Sequence, residues 1–412
     1  MNHTSQQVTA PTWSNWWGGH QCEPTRLEIV KTENEIRESI SRAASEGLGV
    51  RVAGGGHSFG PVVVTDDVLL DVRLNGSIQT GPSTVTVPGS MHLSQLFDPL
   101  WESGAALRNM GELETVSIAG AISTGVHGTG LTLPSISSSV RELRIITASG
   151  DTLTLSEKDG DQFRAATLAI GMLGVITKVT LETLPAYDLV EDSFFLTPEE
   201  ALESWDELLH KHRNFSFYYL PSPRAAETYS LLPSPPEHSQ EICYATVRDA
   251  STPGQPTVGP GPFQRRDRMN RILSFDYDLR YREIEFAIPL EEAKTVYNKV
   301  RALIKDHHPD YAHPIDVRFV AQENSFLSWA SDGPKAIFSV PETASEPYQA
   351  VLAGFEELFY EHGGRPHWGK EHTLTRSRLD RLQPGAEPFR EVRRELDPTG
   401  IFLNEHLRPL FE

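Results

Sequence analysis

The chain has 412 residues, a hydrophobic share of 38% and a formal net charge of −19, which is length enough for two domains at roughly 150 residues each. The acidic balance argues against an electrostatic grip on nucleic acid or on an anionic membrane, since both need clustered Lys and Arg. Two cysteines, Cys22 and Cys243, build neither a disulfide framework nor a four-thiolate zinc site.

In chain order, residues 1–12 read as a disordered tail without the basic and apolar segments of a signal peptide. No stretch reaches the roughly 18 apolar residues of a membrane span. A cytoplasmic protein with a small-molecule ligand is the expectation. Trp13, Trp16 and Trp17 open the packed structure. Thr32 with Glu35 forms a capping box before the apolar stripe Ile36, Ile40, Ala43 and Ala44, and Gly47 stops that helix. From Val50 to Pro185, short β runs such as Val68–Val72 and Thr84–Val87 alternate with Gly or Ser turns. Thr197-Pro198-Glu199-Glu200 opens another helix, and a domain boundary is placed before it, at 188/189. A strand at Glu283–Ile288, a helix at Glu291–Lys305, strands at Ile315–Val320 and Ala336–Val340, and a helix at Pro347–His362 predict an antiparallel sheet covered by helices on one face. Ser251–Phe263, crowded with Pro and Gly, reads as a loop.

Arg51-Val52-Ala53-Gly54-Gly55-Gly56-His57-Ser58-Phe59-Gly60 is a strand running into three glycines. Gly56-His57-Ser58-Phe59-Gly60 matches a serine-hydrolase nucleophile elbow built on Ser58. An elbow needs a helix next, whereas Pro61-Val62-Val63-Val64-Thr65 is β-branched behind a proline. A Rossmann dinucleotide site lacks its helix for the same reason. A β-lined phosphate cradle, in which glycine amides point at an anion, and a plain tight turn with a packed histidine both survive. Ser117 to Gly130, nearly free of large side chains, would let a flat, extended ligand lie against backbone, or would form a closely packed hairpin.

Two more segments join these: Gly364-Arg365-Pro366-His367-Trp368-Gly369-Lys370 and Leu396-Asp397-Pro398-Thr399-Gly400-Ile401-Phe402-Leu403-Asn404. Together the four resemble, in order and from Trp13 to the end, the aldonolactone oxidase and alditol oxidase branch of flavin enzymes related to vanillyl-alcohol oxidase. The resemblance implies an α+β, two-domain fold: an FAD-binding domain at 13–188, a substrate-binding domain at 189–363, and a segment at 364–412 that completes the flavin site. It implies FAD held by Gly54, Gly55, Gly56, His57, Ser58, Gly111, Ser117, Gly120, Ser123, Thr124, Gly125, His127, Gly128 and Asn404. His57 stands where the family tethers the flavin covalently, and neither cysteine falls in a motif that would supply a second link.

Pro314 to Val320 alternates strictly, so a strand there puts Ile315, Val317 and Phe319 on one face and Asp316 with Arg318 on the other. The family places a Glu-x-Arg pair here, over the flavin, and Asp316 is one methylene shorter than its usual glutamate. By this resemblance Arg318 and Lys370 stabilise the reacting oxygen, Asp316 accepts hydrogen bonds from substrate hydroxyls, and His367 and Glu112 contact the substrate. Gly111 is small enough to admit dioxygen beside the flavin. Glu112, where relatives carry a small residue, adds to the acidity of Asp316 and favours neutral or amine-bearing polyhydroxylated substrates over sugar acids. The implied reaction is oxidation of a CH–OH group by FAD, with dioxygen giving hydrogen peroxide or, alternatively, a quinone as acceptor. His367 with His372, and the adjacent His307-His308, lack metal-ligand spacing, so no metal is expected.

Overall fold

Thr32 and Gly47 bound the first helix as their chemistry dictates: the Thr32 side chain accepts from the Glu35 amide, and Gly47 takes the left-handed conformation at φ 71 over Glu33–Glu46. That helix packs Ile36, Ile40 and Ala43 against a small parallel sheet in which Val68–Val72 lies between Arg26–Val30 and Val50–Ala53. The protein is described here from a computed structural model covering residues 12–228, 236, 240–259, 264–275, 279–343 and 351–412. The amino-terminal tail expected through residue 12 therefore lies outside the described residues, except for its last position.

A five-stranded antiparallel sheet follows, with Val140–Ile146 and Val175–Glu182 at its centre and Thr84–Pro88 beside them. Between these strands, the small-residue run does not form an extended hairpin. Ile118–Thr124 is a helix capped by the Ser117 side chain and ended by Gly125 at φ 77. The cradle beside the glycine turn, β-lined by the sequence pattern, is thus part helix. No helix follows Ser58: the next regular element is the strand Val68–Val72, so the nucleophile elbow does not form.

Residues from Asp188 to Pro366 supply a nine-stranded antiparallel sheet. Its inner strands run in the order Asn214–Leu220, Ile315–Val320, Lys335–Thr343 and Tyr281–Pro289. One face carries Phe217, Ile315, Val317, Phe319, Phe338, Ile284 and Phe286, buried under the helices Pro198–Lys211, Ala293–His307 and Leu352–Glu361. Each such side chain contributes about 2–3 kcal/mol relative to exposure, so the other face is spared from holding the sheet together. The expected loop at Ser251–Phe263 begins one residue later than assigned and includes a short strand, Thr257–Val258, pairing with Arg265 and Arg266; residues 260–263 lie outside the described set. The helix expected from Pro347 is described from Leu352. No helix among the described residues is long and apolar enough to cross a membrane.

The chain end returns to the first half. The Arg51 guanidinium, fully buried, donates to the carbonyls of Val62, Ile170 and Phe402, the last at 2.6 Å. This clasp joins the strand before the glycine turn to the carboxy-terminal segment. It also fixes Ile170, a β-branched residue at φ 50, in a strained conformation whose carbonyl the guanidinium rewards.

Candidate active site

Between the two halves lies a cavity of about 910 Å³, near the upper end for small-molecule sites. One end is made mostly of backbone and small side chains: Gly54, Gly55, Gly56, Ser58, Gly111, Ser117, Gly120, Ser123 and Thr124, with His57, line it, and His127 lines the cavity beside Glu285. Gly54 and Gly55 are needed because two walls touch there. A Cβ on Gly54 would come 2.6 Å from Ser117 Oγ, and one on Gly55 2.7 Å from the Thr115 carbonyl. Three residues expected here stand behind the wall instead. Gly125 caps the helix and offers its carbonyl to His367, Gly128 gives space to Asn109, and the Asn404 amide donates to the carbonyls of Pro61 and Val64.

His57 is held by its Nε2, 2.8 Å from Thr115 Oγ1, while its Nδ1 is buried without a hydrogen-bond partner. Burial lowers its pKa, which leaves a neutral imidazole with an uncommitted lone pair or proton. A buried orphan nitrogen costs free energy unless something occupies the space beside it. With the glycine-walled cavity, it fits a flavin dinucleotide.

The other end is charged, and the sheet register explains why. Tyr218 pairs with Asp316, Asp316 with Ser339, and Ser339 with Glu285, so four strands present one lateral row to the cavity. Arg318 stands one period further along and meets three carboxylates: Asp316 at 3.0 Å from Nε, Glu285 at 2.6 Å, and Glu112 at 3.8 Å. Lys370 pairs with Glu283, lies 3.7 Å from Glu285 and sits 4.8 Å over the Phe59 ring. Phe59 in turn donates its amide to the Gly369 carbonyl at 2.7 Å, which ties the glycine turn to the His367–Lys370 segment. Asp316, Arg318, Glu112, His367 and Lys370, widely separated in sequence, therefore line one cavity.

Glu285 is the hub of this end. Its carboxylate meets His127 Nε2 at 2.7 Å, Ser339 Oγ at 2.7 Å and Arg318 at 2.6 Å. Burial alone would raise its pKa, but Arg318, Lys370 and His127 hold it well below the usual carboxylate range. Glu283 is pushed up by burial against the pull of Lys370. Asp316 is pushed up to about 7 by burial, with Arg318 opposing and Glu112 adding to the rise. His367, lowered to about 3 by burial, is neutral; it accepts from the Gly369 amide at Nδ1 and donates from Nε2 to Gly125. Sequence reasoning missed Glu283, Glu285, Ser339 and Tyr218. The signal available was Glu283-Ile284-Glu285-Phe286, two acids on the face of a strand whose alternate residues are core.

His127, Glu285 and His367 bring three possible metal-ligand atoms within 4.8 Å of one another. Their geometry does not favour a cation, since Glu285 is already engaged by Arg318 and Lys370, whose positive charges would repel one.

Residues 258–410 match the D-arabinono-1,4-lactone oxidase family and residues 24–156 an FAD binding domain. An L-gulono-1,4-lactone dehydrogenase of Mycobacterium tuberculosis is 32% identical over 97% of this chain and 99% of its own. An L-gulonolactone oxidase of Mus musculus is 28% identical over the full length of both. An alditol oxidase of a Streptomyces species is 28% identical over 97% of this chain and 99% of that protein. A crystal structure of cholesterol oxidase from Brevibacterium sterolicum superposes with a TM-score of 0.80 at 16% identity, covering 97% of this chain and 96% of that one, a likeness of fold. Glycine-walled cavity, charged sheet row and sequence relatives agree: the chain belongs to the aldonolactone oxidase and alditol oxidase branch of the FAD-dependent oxidoreductases.

Proposed function

We propose that the protein oxidises a CH–OH group of a sugar lactone, alditol or related polyhydroxylated compound, with dioxygen as the final acceptor and hydrogen peroxide as the by-product. The observation that carries this reading is the convergence of Arg318, Lys370 and Asp316 on the same cavity as the glycine turn and His57. FAD, when bound, supplies the hydride acceptor at its N5. Gly54, Gly55, Gly56, Ser117 and Gly120 would hold it by backbone approach, with His57 Nδ1 as the point of covalent attachment.

Charge develops on the substrate oxygen as its proton leaves, and two buried cations there are worth more than in water. Arg318 and Lys370 supply them, already oriented by Glu285 and Glu283. A carboxylate oxygen of Asp316, poised near neutrality, can accept the hydroxyl hydrogen and then its proton. His367 stays neutral and adds no competing charge.

The acceptor has two readings. A Cβ on Gly111 would meet Val126 Cγ1 at 2.6 Å and the His127 carbonyl at 3.2 Å, so glycine there is a packing requirement; dioxygen as acceptor is supported by the relatives named oxidases. A quinone-type acceptor is the second reading, supported by the relative named a dehydrogenase. The test is a purified yellow protein, bleached anaerobically by lactones and alditols, then mixed with air-saturated buffer. Rapid return of colour with peroxide supports the oxidase, and bleached protein persisting in air supports the second reading. A colourless protein, or one bleached by no lactone or alditol, overturns both. Flavin remaining with acid-precipitated protein and lost in His57→Ala supports the tether.

A further inference from the structure

Each nitrogen of Arg318 lies within 4 Å of a carboxylate oxygen, although Nε makes no hydrogen bond, and the three carboxylates differ in origin. Asp316 belongs to the same strand and Glu285 lies two strands away in the same sheet, at 3.0 and 2.6 Å. Glu112 comes from the segment after Gly111, outside that sheet, and stands off at 3.8 Å. Of these three contacts, it is the one from outside the sheet that carries Arg318.

Lys370, the second cation, is engaged by Glu283 and Glu285. At this end of the cavity, then, two cations meet four carboxylates. Arg318, Lys370 and three of these carboxylates are mostly buried, with Glu112 the most exposed, so the surplus of negative charge is screened less than it would be at the surface. The upward displacement of Asp316, to which Glu112 contributes after burial and Arg318, shows that the surplus is felt inside the cluster. Among the described residues of this cluster both cations are already paired, and the side of Arg318 turned away from its sheet is the side where Glu112 lies.

We propose that Glu112 is a specificity-determining residue: its carboxylate guards the cavity side of Arg318, turns anionic polyols such as sugar acids away and leaves uncharged lactones or alditols as the substrates. This rests on the reading of the cavity as a lactone or alditol site. A hydroxyl or ring oxygen of a neutral substrate can accept from Arg318 beside Glu112, and a hydroxyl can donate to Glu112, so the same carboxylate that repels an anion adds a partner for a polyol.

The test uses a pair of one configuration that differs in charge and in ring closure, L-galactono-1,4-lactone and L-galactonate, with the flavin-loaded protein, and the ring difference is common to parent and variant. Aldonate affinity is read by titration calorimetry and the lactone KM by anaerobic bleaching. Glu112→Gln keeps the size and removes the charge. The expected result is that the preference for lactone over aldonate falls about tenfold or more, a change of about 1.4 kcal/mol, and that Glu112→Asp, which keeps the charge, retains most of the original preference. A preference that stays within about threefold in Glu112→Gln, within the usual scatter of a surface change, overturns the proposal. If Glu112→Gln fails to accumulate as folded yellow protein, Glu112→Ala is read by the same criteria. A merely structural role would weaken both ligands together and leave their ratio constant. Absence of bleaching by any lactone or alditol strikes the functional reading, whereas bleaching with an unchanged ratio strikes this inference alone.

Discussion

The two ends of the cavity are built on opposite plans. The glycine end relies on backbone closeness: Gly54, Gly55 and Ser117 bring two walls within contact distance, and His57, which lines the cavity, is left with a buried Nδ1 that has no hydrogen-bond partner. The charged end relies on side chains from strands that are neighbours in space but distant in sequence, gathered in the row Tyr218, Asp316, Ser339 and Glu285. The difference separates holding from reacting. A site that must keep a large flat group can be made from small residues with little charge, but a site that must stabilise a developing oxyanion needs cations, and buried cations need carboxylates.

Mutations should therefore fall into two classes, and a variant that crosses between them would break the division. Lys370→Ala is expected to slow anaerobic bleaching by about 10²–10³-fold, the usual loss for one oriented donor, while the protein remains yellow. Loss of colour in that variant would show that the lysine belongs to the holding end. Gly55→Ala should do the reverse. Its Cβ would press on the Thr115 carbonyl at 2.7 Å, and the measurement is the flavin-to-protein absorbance ratio, expected to fall severalfold.

Glu285→Ala leaves Arg318, Lys370 and His127 without their common partner, and unfolding in urea should show a loss of about 3 kcal/mol, the scale for a broken buried pair. Full stability would mean that the hub is replaceable by Glu283 and Asp316.

Asp316→Asn sharpens the comparison through pH. The folded carboxyl is raised to about 7 from the ordinary 3.8, so its contribution to stability is intact below pH 4 and is lost as pH rises through 7. The variant should thus gain melting temperature relative to the parent at pH 8 and not at pH 4, and the limb near pH 7 in the parent's kcat/KM profile should disappear. An identical profile in the variant would assign that limb elsewhere. Asn404→Ala, which removes donors to Pro61 and Val64, should have the smallest effect, a loss of about 1 kcal/mol per hydrogen bond in thermal or urea unfolding with bleaching preserved.

The sequence by itself determined the local pieces. Thr32 with Gly47 and Thr197 with Glu200 set the ends of helices because capping is a matter of a few adjacent atoms. The alternation in Ile315–Val320 settled which face carries Asp316 and Arg318, since a strand's period is two wherever it lies. The glycine runs marked close approach, though not what approaches: Gly54 meets Ser117 and Gly120 of a capped helix and Gly55 the Thr115 and Val116 backbone just before it, and the helix's one-turn stripe of Ile118, Ala121 and Ile122 is too short to stand out among the small residues around it. Only the tertiary structure decided that Glu285 joins His127, Arg318 and Lys370, and that Asn404 supports the loop rather than lining the cavity. Cross-strand register and burial are relations between segments, and long-range charge pairing follows from them, so one-dimensional periodicity shows which side chains share a face but not which faces meet.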